Sequence, residues 1–423
     1  MSWKEKIFPE NGLGLGRFWN FSRGGIDNFR SGLRDAVSGV EQTRSRMMDY
    51  DQLLVWAALS LALIGLVMVY SASITLADGP KYANYSSNFF LIRHCISLTI
   101  AIGVAIWVFK IPTTVWDRYA PLIFGFTVIL LIAVLIPGIG KGVNGDKRWI
   151  SLGPMNFQPS ELMKFAAVIF AASYTVQRQE YLHSFVKGML PMGIAVALVG
   201  GLLMAEPDLG ALVVISIIAF GILFLGGINA KLFGGLLAVG IFSAATIIAL
   251  SPFRQKRIMA FIDPWQADNA ANKAYQLTHS LMAFGRGEWF GLGLGGSVEK
   301  LHYLPEAHTD FIMAVIGEEL GFVGVVVIIF LFYWIVRRAF LIGRTALQLD
   351  RSFAGLAAKG VAIWIGWQAF INMGVNLGLL PTKGLTLPLV SYGGSGILMN
   401  AVALAMLLRI DYENRILMRG GKL

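Results

Sequence analysis

Charge is what this sequence has least of: Asp, Glu, Lys and Arg make up 14% of its 423 residues, against 56% hydrophobic. A water-soluble domain carries about a quarter charged residues, so this chain lacks the surface to stay in water, and lipid is the alternative solvent. Its one cysteine, Cys95, excludes an intramolecular disulfide and a Cys-rich metal site. Neither glycine-rich stretch follows a strand or carries the G-x-x-x-x-G-K-[ST] spacing, which excludes a nucleotide-binding loop of that kind. Acidic residues are outnumbered, giving a net charge of +10. No aromatic-basic stripe of the sort that holds single strands accompanies that charge, so it suits anionic lipid and not nucleic acid. No internal repeat stands out either, which argues against an ion or sugar carrier built from repeated halves.

What the chain does have is apolar runs of eighteen or more residues, each about long enough to cross a hydrocarbon core ~30 Å thick. They predict an all-α polytopic membrane protein of ten transmembrane helices, at 52–72, 89–109, 117–137, 159–176, 188–205, 209–227, 231–251, 310–336, 355–379 and 392–409. The fifth and sixth are separated by "AEPDLG" (205–210), where Pro207 lacks an amide donor and Glu206 and Asp208 would be costly in mid-bilayer. Residues 1–50 carry eight Lys/Arg and no cleavable signal pattern, and read as a basic cytoplasmic arm. The membrane domain then runs over 51–410 and a cytoplasmic tail over 411–423. An even number of spans puts both termini on one side, and the basic 337–359 loop and tail assign that side to the cytoplasm. The opposite face holds 138–158, 380–391 and a long loop, 252–309, between helices 7 and 8. Its "MAFGRGEWFGLGLGGS" is too rich in glycine and aromatics for disorder and reads as an ordered cap. The loop also carries Arg254, Lys256, Arg257, Lys273, Arg286 and Lys300. A loop that long escapes the charge rule, or else its cations meet an anionic ligand.

Three charged clusters border this face. In "PEAHTDFIMAVIGEELG" (305–321), Asp310 falls in the first turn of the eighth helix, as a cap or facing a cavity. Asp310, Ala314, Gly317, Gly321 and Gly324 share one helix face, with Gly317 and Gly321 as a seam for a neighbouring helix. Glu318 and Glu319 lie roughly 12–14 Å deeper and call for partners elsewhere in the bundle. Glu306 and His308 are, by position, ordinary loop residues. In "NGDKRWISLGPMNFQPSELMK" (144–164), Lys147 and Arg148 precede a span in which Glu161 and Lys164 form an i, i+3 pair, structural or functional. In "PTKGLTLPLVSYGGSG" (381–396), Lys383 sits among glycines that allow a phosphate to approach or simply make turns. A carboxylate among cations can act as a general base while the cations neutralise a diphosphate. That suits sugar transfer from a lipid-diphosphate donor; a transporter for an anionic lipid fits the spacing equally.

At these residues the chain resembles the SEDS (shape, elongation, division and sporulation) family, through "RWISLG…QPSEL", "EPDLG", "DPW" (263–265), "GEWFGLGLG", "LPEAHTDFI" and "PTKGLTLPLVSYGGSG". The match extends from about residue 50 to 415, and Thr382-Lys383-Gly384 looks like the family's division branch. Small departures are Glu206, where the family commonly has glutamine, and Met313, where it commonly has phenylalanine. The resemblance implies a bacterial inner-membrane enzyme that polymerises lipid II into peptidoglycan at the division septum. It also implies a class B penicillin-binding protein (a transpeptidase) as partner, with other division proteins activating the pair. By motif, Asp310 becomes the catalytic acid-base group. Arg148, Glu161, Lys164 and Lys383 become polar residues of an outward cavity, with Glu306, His308 and Ser391 as further substrate-binding candidates. A divalent cation sharing the neutralising task is left open. The rival activities are flipping of lipid II, which would use Glu318, Glu319 and Lys164, and a scaffold that recruits the transpeptidase.

Overall fold

The computed structural model describes residues 49–78, 85–143, 146–151, 156–266, 269, 274–382 and 384–422. The basic arm at 1–48 and Lys383 lie outside the described residues. Helix α1, Gln52–Ser73, starts at Asp51, whose carboxylate accepts from Leu54 N–H at 3.1 Å and pairs with Arg338 at 2.5 Å. Helices α2 (Phe89–Phe109) and α3 (Thr113–Leu135) follow, then α4 (Pro159–Gln177), α5 (Leu190–Ala205), α6 (Leu209–Leu225), α7 (Ala230–Ala249) and the short α8 (Pro252–Ile262). The chain ends with α9 (Tyr275–Gly287), α10 (Ile312–Gln348), α11 (Ser352–Asn376) and α12 (Gly394–Met418).

Each of the ten expected segments overlaps a helix, and among the described residues seven helical spans are long and apolar enough to cross a membrane: α1, α2, α3, α5 together with the π-helical turn Phe185–Met189 before it, α10, α11 and α12. The chain is a multi-pass helical membrane protein. Its most apolar windows differ in burial, and that sorts the bundle. Those of α11 and α12 are 72% buried, whereas that of α2 is 17% buried. So α11 and α12 form the protein-facing centre, and α2 turns Ile96, Ile106 and Trp107 outward, the arrangement expected where the solvent is hydrocarbon.

The polar stretch expected at 138–158 folds as a small antiparallel sheet, β1 (Gly140–Val143), β2 (Asp146–Ser151) and β3 (Asn156–Phe157), in that order. Lys141 pairs with Trp149 but Gly142 with Lys147, so Arg148 is the odd residue of a bulge. A bulge of this kind breaks the alternation of side chains and re-aims one of them.

Helix α10 departs from expectation. A continuous small-residue face was predicted from Asp310 to Gly324; instead the helix breaks at Gly321, with φ 67° and ψ −165°. The loop after α9 enters the break. Leu292 and Gly293 donate their amides to the carbonyls of Glu318 and Glu319 at 3.0 Å each, and Phe322 and Val323 donate theirs to Glu288 (2.9 Å) and Trp289 (3.2 Å). Backbone groups freed by the break are thereby paired, as a low-dielectric setting requires. A Cβ on Gly321 would lie 2.3 Å from Gly291 N, and one on Gly291 (φ 78°) 2.2 Å from Glu319 O. Gly291 and Gly321 therefore serve a backbone-to-backbone splice, while the expected helix-to-helix seam holds at Gly317, where an added Cβ would lie 2.3 Å from the Phe284 ring of α9.

Gly321→Ala is expected to destabilise the protein by about 1–3 kcal/mol from the backbone conformation alone, read by thermal unfolding in detergent. Gly234→Ala in α7, where an added Cβ meets nothing within 4 Å, serves as the control. Equal transitions for both variants would refute a requirement for the splice.

Candidate active site

Asp310 immediately precedes α10, and the structure rejects its reading as a cap. Phe311 occupies the cap position without a side-chain bond, and the Ala314 amide donates to Asn376 Oδ1 at 3.2 Å. What holds Asp310 is its backbone carbonyl, which accepts from Asn372 Nδ2 (2.9 Å) and Asn376 Nδ2 (3.0 Å). These amides belong to a buried polar stripe on α11, Gln368–Asn372–Asn376, spaced at i, i+4, i+8. The same stripe anchors the loop ahead of α12: Gln368 Nε2 donates to Thr386 O at 2.9 Å and Asn372 Nδ2 to Leu385 O at 2.5 Å. That places Gly384 against the Asp310 side chain, where a Cβ would lie 3.0 Å from Oδ2. The Asp310 carboxyl is pushed up to about 7, first by burial and then by Glu306, with Arg148 pulling it down and Asp208 adding to the rise.

Arg148 reaches this region because of its bulge. Its Nε donates to Glu206 O at 3.1 Å and its Nη2 to Pro207 O at 2.8 Å, which fixes the guanidinium on the turn between α5 and α6. Asp208 caps α6 through Ala211 N–H (3.1 Å) and also accepts from Ser160 Oγ (3.0 Å) and Gln158 Nε2 (3.3 Å) at the start of α4. Ser395 of α12 accepts from Gln158 N–H at 3.0 Å and donates to Asn156 O at 3.2 Å. Four chain segments distant in sequence thus meet around Asp310: the sheet with the start of α4, the α5–α6 turn, the approach to α10, and the loop into α12.

The other expected residues divide. Glu306 lies two strides ahead of Asp310 in a left-handed turn (φ 57°), accepts from Thr309 Oγ1 at 2.8 Å, and acts on the Asp310 carboxyl. His308 is buried between Phe90 and Tyr392, with ring centroids at 4.9 and 5.5 Å. Ser391 is buried too, donating to Thr309 O (2.6 Å) and accepting from Leu387 N–H (2.8 Å), which ties the two loops together. Lys164 is fully buried, donating to Glu161 (2.7 Å) and to Gln368 Oε1 (2.8 Å). Lys383 adjoins Gly384 but lies outside the described residues, as do Lys273 and the side chains of Lys147, Arg254, Lys256 and Arg257. Sequence reasoning missed Asn372, Asn376 and Asp208; three amides four residues apart in an apolar helix were the available signal. Among the described residues no three His, Cys, Asp or Glu side chains come together as a metal-binding group.

Of the two remaining loop cations, Lys300 is buried, whereas Arg286 is exposed and reaches a buried carboxylate. Lys300 donates to Glu319 Oε1 (2.7 Å) and to Ser71 Oγ of α1 (3.0 Å). Arg286 donates to Glu299 at 2.8 Å, which His279 Nδ1 also meets at 2.6 Å. Glu318 accepts from Ser297 Oγ (2.5 Å) and from the amides of Val298 (3.1 Å) and Glu299 (3.3 Å). Both carboxyl groups of α10 therefore clasp the 286–300 segment to the broken helix, and Arg286 and Lys300 are the clasp's cations.

Fold and site together define a polytopic helical membrane protein with a titratable carboxyl group within electrostatic reach of a fixed guanidinium. The chain belongs to the FtsW/RodA/SpoVE family of cell cycle proteins, whose profile matches residues 51–416. It is 89% identical over 423 residues, the whole of both chains, to the probable peptidoglycan glycosyltransferase FtsW of Polynucleobacter necessarius. The counterpart from Burkholderia thailandensis is 65% identical over 391 residues, covering 92% of this chain and 85% of that one. Among solved structures, a chain from a peptidoglycan synthase complex that coordinates polymerization and crosslinking superposes with a TM-score of 0.70 at 27% identity, over 87% of this chain and 99% of the other. Rod shape determining protein RodA of Thermus thermophilus gives 0.62 at 26%, over 86% and 97%.

Lys300→Met strands the Glu319 carboxylate, which is wholly buried. We expect a loss of about 3–5 kcal/mol, measured by thermal unfolding in detergent. Adding Glu319→Gln should recover most of it; no recovery would refute the ion pair as the reason.

Proposed function

We propose that this chain is a peptidoglycan glycosyltransferase that polymerises lipid II into β-1,4-linked glycan, with Asp310 as general base. The observation that supports it most is a carboxyl group whose backbone is pinned by Asn372 and Asn376, while its side chain titrates near neutrality. A base with a pKa close to the working pH gives the best compromise between being deprotonated and accepting a proton.

In this reading Asp310 takes the proton from the 4-hydroxyl of GlcNAc in an acceptor lipid II. The oxygen attacks the anomeric carbon of MurNAc at the end of the growing chain. The bond from that carbon to the diphosphate breaks with its electron pair, undecaprenyl diphosphate leaves, and the centre inverts. A diphosphate needs no proton to depart, so the second carboxyl group of a glycoside hydrolase is not required. It does need compensation for charge, and Arg148, held on the Glu206 and Pro207 carbonyls, supplies it by preorganised electrostatics. Lys383, next to Gly384, is the second cation we assign to the leaving group.

The same reading places the pocket at the periplasmic face, the ten helices in the bacterial inner membrane at the division septum, and both termini in the cytoplasm. It takes a class B penicillin-binding protein transpeptidase as partner, with other divisome proteins activating the pair. Likeness to a chain from a synthase complex supports that assignment. The charges that a lipid II flippase would use are matched internally, Lys164 by Glu161 and Gln368, Glu319 by Lys300 and Ser71, so polymerisation is favoured over carriage.

Purified Asp310→Asn, assayed with its transpeptidase, should form no glycan from lipid II; near-normal polymer would remove Asp310 from the base role. Because the carboxylate is the active form, the wild-type rate should rise with pH through about 7. Arg148→Ala removes the charge that favours the carboxylate, so its rising limb should move to higher pH. Glu306→Gln removes a repelling charge, so its limb should move lower. Shifts in the opposite directions, read from pH–rate profiles, would contradict the assignment.

A further inference from the structure

The turn between α5 and α6 holds a carboxyl group that the proposed reaction does not use. Glu206 is 1% exposed, and neither side-chain oxygen has a hydrogen-bond partner among the described residues. Its backbone is engaged where its side chain is not, since its carbonyl and that of Pro207 carry the Arg148 guanidinium. Two residues on, Asp208 commits its carboxylate to Ala211 N–H, Ser160 and Gln158. The charged groups facing Glu206 are therefore Arg148 from β2 and Asp208 from its own turn. The same two act on Asp310, which Glu306 faces from its own loop. Arg148 thus stands at the junction of two carboxyl groups, one without a hydrogen-bond partner among the described residues and one at the reacting centre.

A buried carboxylate without donors is far costlier than the neutral acid. Burial, followed by the like charge of Asp208, pushes the Glu206 carboxyl up to about 8, with Arg148 opposing. At neutral pH this side chain keeps its proton.

We propose that Glu206 is a positioning residue for the transfer reaction, one that works by staying uncharged so that Arg148 presents its full positive charge to Asp310 and the departing diphosphate. The inference rests on reading the site as a glycosyltransferase. Ionisation of Glu206 would place a negative charge beside a guanidinium anchored on its own backbone. Arg148 would then be offset from behind, Asp310 would be driven further toward its acid form, and the diphosphate would lose its counter-charge. Rate should accordingly fall as Glu206 ionises.

The test compares wild type, Glu206→Gln and Glu206→Leu, each purified with the transpeptidase, by following polymer formation from lipid II between about pH 6 and about pH 9.5. Wild type should show a bell-shaped profile, its rate dropping several-fold from about pH 7.5 to about pH 9. Both neutral variants should keep the rising limb and show a ratio near one across that upper interval. A drop equal to the wild type's in both would overturn the proposal. No polymer from wild type at any pH would overturn the glycosyltransferase reading, and the proposal with it.

Thermal unfolding provides a readout independent of activity. The folded-state pKa is raised from 4.5 to about 8, so across that interval the unfolded chain is ionised while the folded one is not. Wild type should therefore lose stability relative to the Gln variant as pH rises through the interval, the gap becoming constant above about 8. A gap that does not change with pH would show that Glu206 is not a buried neutral acid, which would also overturn the proposal.

Discussion

The site depends on two amide side chains gripping one carbonyl. Asn372 and Asn376 hold Asp310 by its backbone oxygen, so the carboxyl group is placed without being consumed. Had the side chain itself been the anchor, as in a helix cap, its hydrogen bonds would favour the ionised form and pull its pKa down. Anchoring through the main chain separates position from protonation. Burial and Glu306 are then left to push the group toward neutrality, and Arg148 restrains them.

A second constraint is that little polar can be left unmatched in a bundle this apolar. Lys164 is satisfied by Glu161 and Gln368, and Gln368 in turn accepts from Trp364 Nε1 at 2.8 Å and supports Thr386. Glu318 and Glu319 are satisfied by the loop that splices into α10. The charges at the far end of the described bundle obey the same rule: Glu413 collects Thr113, Arg351 and Arg409. Among the described residues Glu206, with neither carboxyl oxygen bonded, is an exception to that rule, as is His94 with neither ring nitrogen bonded.

How much of this was legible in the sequence follows from the range of each interaction. Apolar runs report their own environment, so each expected segment overlaps a helix, with α4 beginning at Pro159 and α6 at Leu209, within "EPDLG". Asp310 could be singled out as a charge at a helix mouth, but cap and base look alike locally. The structural distinction comes from α11, some sixty residues later in the chain. Gly317 and Gly321, four apart, look the same in sequence, yet a helix packs on the first, through Phe284 of α9, and a loop enters a break at the second, through Phe290 and Gly291. The Arg148 bulge is a property of strand pairing, and no single strand encodes it. Lys300 reads as an exposed loop cation because the acidic partner that buries it is brought to it by folding.

The break in α10 has a mechanical side. The stub Ile312–Leu320 is bonded through its last carbonyls to the loop that follows α9, and it begins two residues beyond Asp310. Stub, loop and α9 therefore form a lever with the Asp310 carboxyl group near its tip, and the shaft beyond Gly321 is the fulcrum side. A load applied at the α9 loop would therefore reach Asp310 through hydrogen-bonded backbone, bypassing the side chains packed around it.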